Sequence, residues 1–365
     1  MVSRCSNASA SRRCGRGSAC SGEGERRQVS TIKDVAHEAG VSIATVSHVV
    51  NGTRRVSAGL TERVLAAMEK LDYRPNGLAR SLRLGQTRTL GLLIPDNSNQ
   101  FFAEMARSIE DTGYRHGYSV ILCNSDRNVQ KQRAYVRLLV DKHVDGIAFI
   151  SSGESVEDIR YLTREGVAVV IVDRDQLGVA ADVVLIDNER AGYEATRHLI
   201  GLQHRRIACI SGPAGVAPSA ERIEGYRRAL QEAGIGYDPE LVIPGDFGLD
   251  SGEHAADVLW EMDRRPTAIF ACNDMMAIGA MYGLRTHGLD VPADLSVVGI
   301  DDIALSRAVY PALTTMSHPK IEMGRIATEL LIRRIEGHTA GMDPQRIVLT
   351  ATLVRRNSCA APATG

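Results

Sequence analysis

Side chains able to hydrogen-bond or stack on a small ligand follow the ends of several apolar runs in this sequence. Asp173 and Arg174 close the run that starts at Val167, and Asp301 closes the run that starts at Leu295. In open parallel α/β sheets, ligands bind beyond the carboxyl ends of the strands, where the loops converge. We therefore predict one ligand site, built by Asn99, Phe101, Phe102, Asp173, Arg174, Arg222, Phe247, Asn273 and Asp301.

This set of residues combines hydrogen bonding to a polar ring with stacking on its apolar faces. Carboxylates accept, guanidinium groups donate and amides do both, and three of the chain's five phenylalanines belong to the set. Each member alone has a simpler role, since Asp173 or Asp301 can cap a turn and Arg174 or Arg222 can be a solvated surface arginine. Their occurrence together at strand ends in both halves of the chain favours the ligand site.

The elements that must position this set alternate between strands and helices from Thr89 onward. Seven nearly continuous apolar runs are predicted to be buried strands: TLGLLIP, YSVILCN, DGIAFIS, VAVVIVD, RIACISG, TAIFACN and LSVVGID. Helices are predicted near 101–116, 128–142, 156–164, 189–202, 219–233, 250–262 and 273–287. Such runs between amphipathic helices are typical of parallel sheets covered on both faces. The fold class is therefore α/β, with two doubly wound lobes.

The predicted boundaries divide the chain into five parts. They are a disordered extension at 1–29, a small helical domain at 30–74, a short helix and linker at 75–88, a two-lobed domain at 89–355 and a tail at 356–365. Within the two-lobed domain we place lobe 1 at about 89–187 and 303–318, and lobe 2 at about 188–302 and 319–355.

The sequence lacks the motifs that an enzyme with this fold would need. No G-x-G-x-x-G follows the first strand, and there is no P-loop. The segment GPAGVAPSAER contains glycine but is irregular, and it is interpreted as a loop that leads into the helix carrying Arg222. We predict a binding protein, without a catalytic centre, a metal site or a cofactor.

Residues 30–74 predict three short helices. The first begins after Thr31, with Asp34 completing a capping-box-like start, and ends at Gly40. Ser42 is the expected N-cap of a second helix that ends near Val50. A third helix begins at Ser57 and completes a small core with Leu60, Val64, Leu65 and Met68.

The second helix has one face available for DNA. Val46 and Val49 point toward the first helix on a helical wheel, and the opposite face carries Ile43, Ala44, Ser47 and His48. Two short helices joined by a Gly-containing turn form a helix-turn-helix, whose second helix lies in the major groove of DNA. The sequence therefore predicts a protein that reads double-stranded DNA.

Two segments carry a strong resemblance to a known family. TIKDVAHEAGVSIATVSHVVNG and YRPNGLARSLRLGQTRTLGLLIPDNSNQFFAEM resemble the lac repressor (LacI/GalR) family of bacterial transcription regulators, and the match extends from about Ser30 to Val354. The resemblance implies that Ile43, Ala44 and His48 read bases and that Thr45 and Ser47 lie near phosphates. His48 stands where the family more commonly has arginine. A bidentate arginine contact with guanine is thus lost, which leaves the operator sequence open.

The segment after Pro75 is expected to form a hinge helix of barely two turns, capped by Asn76 and ending at Leu84. A helix this short does not persist alone in water. The resemblance implies that it orders on the operator in the minor groove, where Leu82 wedges into a base step. Ala79 precedes Leu82 by one turn, and Arg83 follows it. The alternative is a linker helix whose leucines pack on the next domain.

The two-lobed part resembles the periplasmic sugar-binding fold, in its ribose-binding version. The resemblance implies that the polar members of the predicted site hydrogen-bond the hydroxyls and ring oxygen of a monosaccharide, and that the three phenylalanines stack on its faces. Ser317-His318-Pro319 departs from the family, which often has glutamine before this proline, so the pentose or hexose stays open. We predict a homodimeric, sugar-responsive repressor that binds a pseudo-palindromic operator. The alternative is a sugar-binding transport receptor without a DNA role.

Charge and cysteine content agree with this prediction. Residues 1–88 contain 15 Lys+Arg and 7 Asp+Glu, and the remainder contains 28 and 37, so a basic end precedes an acidic body. The scattered cysteines at 123, 209, 272 and 359 indicate reduced thiols, and no run is apolar and long enough to cross a membrane. We expect a cytoplasmic, nucleoid-associated protein. The histidines at 116, 143, 204 and 254 are expected at the surface or in loops.

Overall fold

The computed structural model describes residues 30–52, 54–74, 86–151, 155–174, 178–338 and 341–362. The chain divides into two compact units, Met1–Arg80 and Ser81–Gly365, which are described separately. The predicted extension at 1–29 lies outside the described residues. The same holds for the predicted hinge contacts of Asn76, Ala79, Leu82 and Arg83.

The first unit contains three helices, α1 (Ile32–Ala39), α2 (Ile43–Asn51) and α3 (Ala58–Lys70). The Asp34 carboxylate accepts a hydrogen bond from the Thr31 N–H at 2.7 Å, as the capping box predicts. Gly40 leaves α1 with φ +61°, in the left-handed region that glycine tolerates best. The Ser42 hydroxyl then accepts the Thr45 N–H at 3.1 Å and starts α2.

The core of this unit is small and is drawn from all three helices. Val35, Val46 and Val64 are completely buried. Leu65 was predicted to belong to this core, and that prediction is wrong, because its side chain is 54% exposed. In α3 the buried residues are Val64 and Ala67, which are three residues apart and share one face of the helix, and Leu65 lies outside that face.

The second unit contains two six-stranded sheets. The first has the order β11-β5-β4-β3-β1-β2 and is parallel throughout. Its strands are β1 (Thr89–Ile94), β2 (Ser119–Asn124), β3 (Gly146–Phe149), β4 (Ala168–Val172), β5 (Asp182–Ile186) and β11 (Arg346–Leu349). It is accompanied by helices α4 (Gln100–Arg115), α5 (Val129–Asp141), α6 (Val156–Arg164) and α11 (Lys320–Ile335).

The second sheet has the order β12-β10-β9-β8-β6-β7, and only the β10–β12 pair is antiparallel. Its strands are β6 (Ile207–Ile210), β7 (Val242–Ile243), β8 (Ala268–Ala271), β9 (Ser296–Asp301), β10 (Thr314–Ser317) and β12 (Thr352–Val354). Its helices are α7 (Asn188–Gly201), α8 (Ala217–Glu232), α9 (Leu249–Trp260) and α10 (Asp274–Thr286). The α/β class with two lobes is thus confirmed.

The predicted lobe boundaries are wrong in their return segments. β10 pairs with β9, so the stretch placed in lobe 1 at 303–318 belongs to lobe 2. β11 pairs with β5, and α11 packs on β3, β4 and β5, so 320–349 belongs to lobe 1 instead of lobe 2. Hydrogen bonding between strands decides to which lobe a segment belongs. The sequence of a short strand such as β10 (TTMS) does not indicate which strand it pairs with.

The predicted tail also proves to be part of lobe 2 over residues 356–362. The Ser358 carbonyl accepts the Val297 N–H at 2.8 Å, and the Ala360 N–H donates to Ser296 Oγ at 3.0 Å. The Ala360 carbonyl lies 2.9 Å from His204 Nε2, and His204 is buried. His204 lies in a loop, as expected, but is buried there, whereas His116, His143 and His254 are exposed.

Two glycines let α7 and α8 approach closely. A Cβ at Gly192 would lie 2.1 Å from the Arg222 carbonyl oxygen, and a Cβ at Gly225 would lie 2.0 Å from the Glu189 carbonyl oxygen. Both distances are far shorter than a van der Waals contact. The backbone of Arg222 can therefore pack directly against α7, because neither helix has a side chain at the crossing.

Candidate ligand-binding site

The nine predicted site residues line one cavity between the two lobes, together with Pro218. Asn99, Phe101, Phe102, Asp173 and Arg174 come from lobe 1. Arg222, Phe247, Asn273 and Asp301 come from lobe 2. The cavity measures about 20 Å³. This volume holds about one water molecule, so the lobes lie closed on one another.

The aromatic wall of lobe 1 is placed by the start of α4. The Asn99 side-chain oxygen accepts the Phe101 N–H at 3.0 Å and caps this helix. The rings of Phe101 and Phe102 then meet edge to face, with centroids 5.1 Å apart. Both rings are buried. Because Phe101 and Phe102 lie in the first turn of the helix, the cap at Asn99 fixes the direction of both side chains.

The turn after β4 leaves two polar atoms unsatisfied. Asp173 has φ +69°, and the neighbouring Arg174 donates through Nη1 to the Ser151 carbonyl at 2.5 Å. Asp173 Oδ1 and Arg174 Nε are buried, and neither has a hydrogen-bond partner among the described residues. Burial raises the pKa of Asp173, and Arg174 opposes that shift. Buried polar atoms in proteins are nearly always paired, so these two atoms are available to a ligand.

Arg222 in α8 is fixed by the protein on two of its nitrogens. Nε donates to Asn188 Oδ1 at 2.9 Å, and Nη1 donates to the Cys272 carbonyl at 2.5 Å. Nη2 lies 4.0 Å from Asp301 Oδ1, and the guanidinium carbon lies 5.9 Å from the centroid of the Phe247 ring. The side chain is thus rigid and presents a charged edge beside an aromatic face.

Both polar groups of the Asn273 side chain are hydrogen-bonded to the protein backbone. Its oxygen accepts the Met276 N–H at 3.0 Å and caps α10, and its amide nitrogen donates to the Phe247 carbonyl at 3.0 Å. This second bond holds Phe247 in a turn with φ +68°. A Cβ at Gly212 would lie 2.2 Å from the Phe247 ring, so the ring fills a slot that only glycine leaves open.

Asp301 ends β9 among charged neighbours that the sequence did not identify. Burial raises the pKa of Asp301 to about 6, and Arg222 and Lys320 oppose this shift. The Lys320 ammonium donates to the carbonyls of Asp301 and Asp302 at 2.5 and 2.7 Å. His318 Nδ1 lies 3.3 Å from Asp301 Oδ1. His318 was noted only as a departure from the family, and no local signal marks Lys320.

The site has the chemistry of polar ligand recognition. Two buried carboxylates face two buried guanidinium groups, so donors and acceptors are both present while the formal charges balance. Among the described residues, no cluster of three His, Cys, Asp or Glu side chains is arranged to hold a metal ion. None of the described helices combines the length and the apolarity needed to cross a membrane.

The face of α2 that was predicted to meet DNA is open in the first unit. Ile43 is 46% exposed, Ala44 is exposed, and Thr45, Ser47 and His48 are half-buried. The opposite face carries the buried Val46. A single exposed isoleucine is ordinary on a protein surface, so its exposure alone does not indicate a partner.

Comparison with known proteins adds two family models that match the two units. Residues 31–76 match the model of bacterial regulatory proteins of the lacI family, and residues 196–359 match a periplasmic binding protein-like domain. The HTH-type transcriptional repressor PurR of Vibrio atlanticus (strain LGP32) is 44% identical over 309 residues, which cover 84% of this chain and 92% of that protein. The chain belongs to the lacI family of bacterial regulatory proteins.

Solved structures of this family show the same architecture. The lac repressor dimer bound to operator and the anti-inducer ONPF superposes with a TM-score of 0.82, at 28% identity, over 92% of this chain and 100% of that chain. A LacI family regulator from Enterococcus faecium with bound ribose gives a TM-score of 0.69, at 31% identity, over 75% of this chain and 99% of that chain.

Membership of the lacI family settles the class of function. The protein is a DNA-binding transcriptional repressor that responds to a small molecule, and it is not an enzyme. The alternative of a transport receptor without a DNA role is thereby set aside. Repressors of this family bind operators and dimerise, as the lac repressor structure does.

Proposed function

We propose that this lacI-family repressor is switched by a monosaccharide, with a ribose-like sugar favoured, bound between its two lobes. The observation that carries the proposal is the unsatisfied pair in the cavity wall, Asp173 Oδ1 and Arg174 Nε. A sugar hydroxyl donates one hydrogen bond and accepts others. One hydroxyl, or two on adjacent carbons, therefore satisfies both atoms at once.

Each site residue has a role in this proposal. Asn99, Asp173, Arg174, Arg222, Asn273 and Asp301 hydrogen-bond the hydroxyls and the ring oxygen. Phe101, Phe102 and Phe247 pack on the C–H faces of the ring. Arg222 and Asn273 already make hydrogen bonds to the protein. Their main contribution to binding is therefore to orient the sugar.

The switch follows from the closed cavity. A space of about 20 Å³ admits no sugar ring, so the lobes must lie further apart with a sugar between them than they do here. A ligand shifts such an equilibrium by its differential affinity for the two states. The change in lobe separation then changes how the two hinge segments of a homodimer lie on a pseudo-palindromic operator.

The DNA contacts are proposed residue by residue. Ile43, Ala44 and His48 contact base edges in the major groove, and Thr45 and Ser47 lie near phosphates. In the hinge segment, Asn76, Ala79, Leu82 and Arg83 contact the minor groove, with Leu82 as the wedge. Each subunit reads one half-site, which requires two-fold pairing of the chains.

A purine is the second candidate for the effector, because relatives that are 44% and 43% identical to this chain bear the name PurR. A purine base carries its polar atoms in one plane, whereas a sugar presents hydroxyls in several directions. The polar side chains of this site approach from both lobes and include two separate Asp–Arg pairs. That arrangement favours the sugar, as does the ribose bound by the E. faecium regulator.

A thermal-shift panel separates the two candidates. The panel contains D-ribose, D-xylose, D-glucose, D-galactose, hypoxanthine and guanine, tested on wild type, Arg174→Ala and the control Arg160→Ala. Arg160 is an exposed arginine of the same lobe, 3.9 Å from Glu157. A ligand that binds only the folded state raises the melting temperature.

We expect one monosaccharide to raise the melting temperature of wild type and of Arg160→Ala, but not of Arg174→Ala. A shift with a purine alone would overturn the sugar proposal in favour of the second candidate. An unchanged shift in Arg174→Ala would show that the effector binds elsewhere.

A further inference from the structure

Arg127 connects the two lobes through a single guanidinium group. It lies in lobe 1, in the turn between β2 and α5. Its Nη2 is 3.0 Å from Asp96 Oδ2 in the same lobe, and its Nη1 donates to the Asp246 main-chain carbonyl in lobe 2. The side chains of Arg127 and Asp96 are 31% and 24% exposed, so this contact lies partly open to solvent.

The lobe 1 end of this contact is held in place by backbone hydrogen bonds. Asp126 and Arg127 have φ values of +51° and +56°. Residues other than glycine adopt this left-handed backbone conformation only at a cost in free energy. The Ser125 N–H donates to the Ile94 carbonyl, and the Arg127 N–H donates to the Pro95 carbonyl, both at 2.9 Å. Backbone strain of this kind persists only where the surrounding structure enforces it, so the direction of Arg127 is built in.

The lobe 2 end is the residue that precedes Phe247. The Asp246 carboxylate accepts the Gly248 N–H at 2.7 Å, and the Asp246 N–H donates to Ser251 Oγ at 3.2 Å. These bonds fix a turn in which Phe247 itself has φ +68°. Arg127 therefore contacts lobe 2 at the turn that carries Phe247, one of the three aromatic rings of the site.

We propose that Arg127 is a positioning residue that latches the lobes in the closed, ligand-free arrangement. The inference rests on the proposed function, because it assigns a determinant of effector affinity at the same site. The planar guanidinium group of arginine donates to a carboxylate and a carbonyl at once. The compact ammonium group of a lysine is less suited to two acceptors in fixed directions. Apparent affinity scales with the fraction of protein in the binding-competent state, so a latch on the ligand-free arrangement weakens binding without touching the ligand.

The test compares Arg127→Gln with Lys131→Gln. Lys131 lies four residues further along and pairs with Asp126 inside lobe 1, so its loss removes the same charge without touching lobe 2. Titration calorimetry with D-ribose is expected to show a Kd that is about 3- to 10-fold lower for Arg127→Gln, the range for one partly exposed charge-assisted hydrogen bond. Lys131→Gln is expected to bind like wild type.

Amide hydrogen exchange without any ligand gives an independent readout of the latch. The peptide that covers 244–252 is expected to exchange faster in Arg127→Gln than in wild type and Lys131→Gln. Equal exchange and equal Kd in Arg127→Gln and wild type would overturn the inference. Equal effects of both variants would also overturn it, because charge alone would then be the cause.

The two proposals fail in distinguishable ways. If wild type binds no D-ribose, the ribose assignment fails while the exchange comparison still decides the latch. If wild type binds D-ribose and Arg127→Gln matches it in both measurements, the latch fails while the effector site stands.

Discussion

His318 Nδ1 lies 3.3 Å from Asp301 Oδ1, yet neither ring nitrogen of His318 has a hydrogen-bond partner among the described residues. Burial lowers the pKa of His318 well below its ordinary value, and burial raises the pKa of Asp301 to about 6. The neutral form of the histidine is therefore favoured, and the aspartate is charged only above a pH of about 6. A buried charge beside an unsatisfied ring costs folding free energy, as expected where a site is built to receive a polar ligand.

Asp301→Asn is expected to stabilise the protein without ligand at pH 7.5 and to abolish sugar binding. The folded pKa of Asp301 lies above the unfolded value, so its ionisation opposes folding above pH 6, and this cost disappears as the pH falls from about 6 to 4. The gain at pH 7.5 reaches up to about 3 kcal/mol and should shrink toward zero near pH 4. Urea unfolding at both pH values measures it. A variant less stable than wild type at pH 7.5 would contradict this account of Asp301.

Gly192→Ala should lower both stability and effector affinity, because the added methyl group would lie 2.1 Å from the Arg222 carbonyl oxygen. Overpacking of this kind costs about 1–3 kcal/mol, and the shift of α8 moves the Arg222 side chain. Gly201→Ala is the matched control, since Gly201 ends the same helix and a Cβ there meets nothing within 4 Å. Thermal unfolding and D-ribose titration measure the two effects. The helix-crossing argument fails if the two variants behave alike.

The features that the sequence predicted correctly depend on local signals. Ser42 caps α2 through an N–H only three residues away. Asp173 and Asp301 lie at the ends of apolar strands, and a parallel sheet brings all such ends to one edge whatever the strand order. The convergence of the nine side chains could therefore be predicted without knowing which strands are neighbours.

The features that the sequence did not predict depend on contacts between distant segments. β10 and β11 are four-residue strands whose lobe is decided only by pairing with β9 and β5. His204 is buried by Ser296 and Ala360, which lie 92 and 156 residues further along the chain. The contact of Arg127 with lobe 2 is made to Asp246, 119 residues further along the chain, so no pattern near Arg127 predicts it.

His48→Arg is expected to change the preferred operator sequence and to leave DNA binding intact. An arginine adds a bidentate contact to guanine, worth about 1–3 kcal/mol at a matched base pair. Selection of binding sites from a random DNA pool with both proteins measures the change. If both proteins select the same consensus, His48 does not read bases.

Leu82→Ala is expected to weaken binding to the selected operator far more than binding to unrelated DNA. The reason is that an apolar wedge contributes only in the kinked, specific complex. Titration of both duplexes at one fixed salt concentration separates the two effects, since nonspecific binding is mostly electrostatic. Unchanged affinity for the selected operator would show that Leu82 is not the wedge.

The most direct test of the central claim is reciprocity between sugar and operator. The Kd of D-ribose is measured with and without the selected operator duplex, and the Kd of the duplex with and without D-ribose, for wild type and for Arg174→Ala. The account predicts that each ligand changes the Kd of the other by the same factor in wild type, about 5- to 150-fold for a usual coupling. It also predicts that Arg174→Ala binds the duplex like wild type but shows no sugar response. Independent binding of D-ribose and duplex in wild type, or a full sugar response in Arg174→Ala, would contradict it.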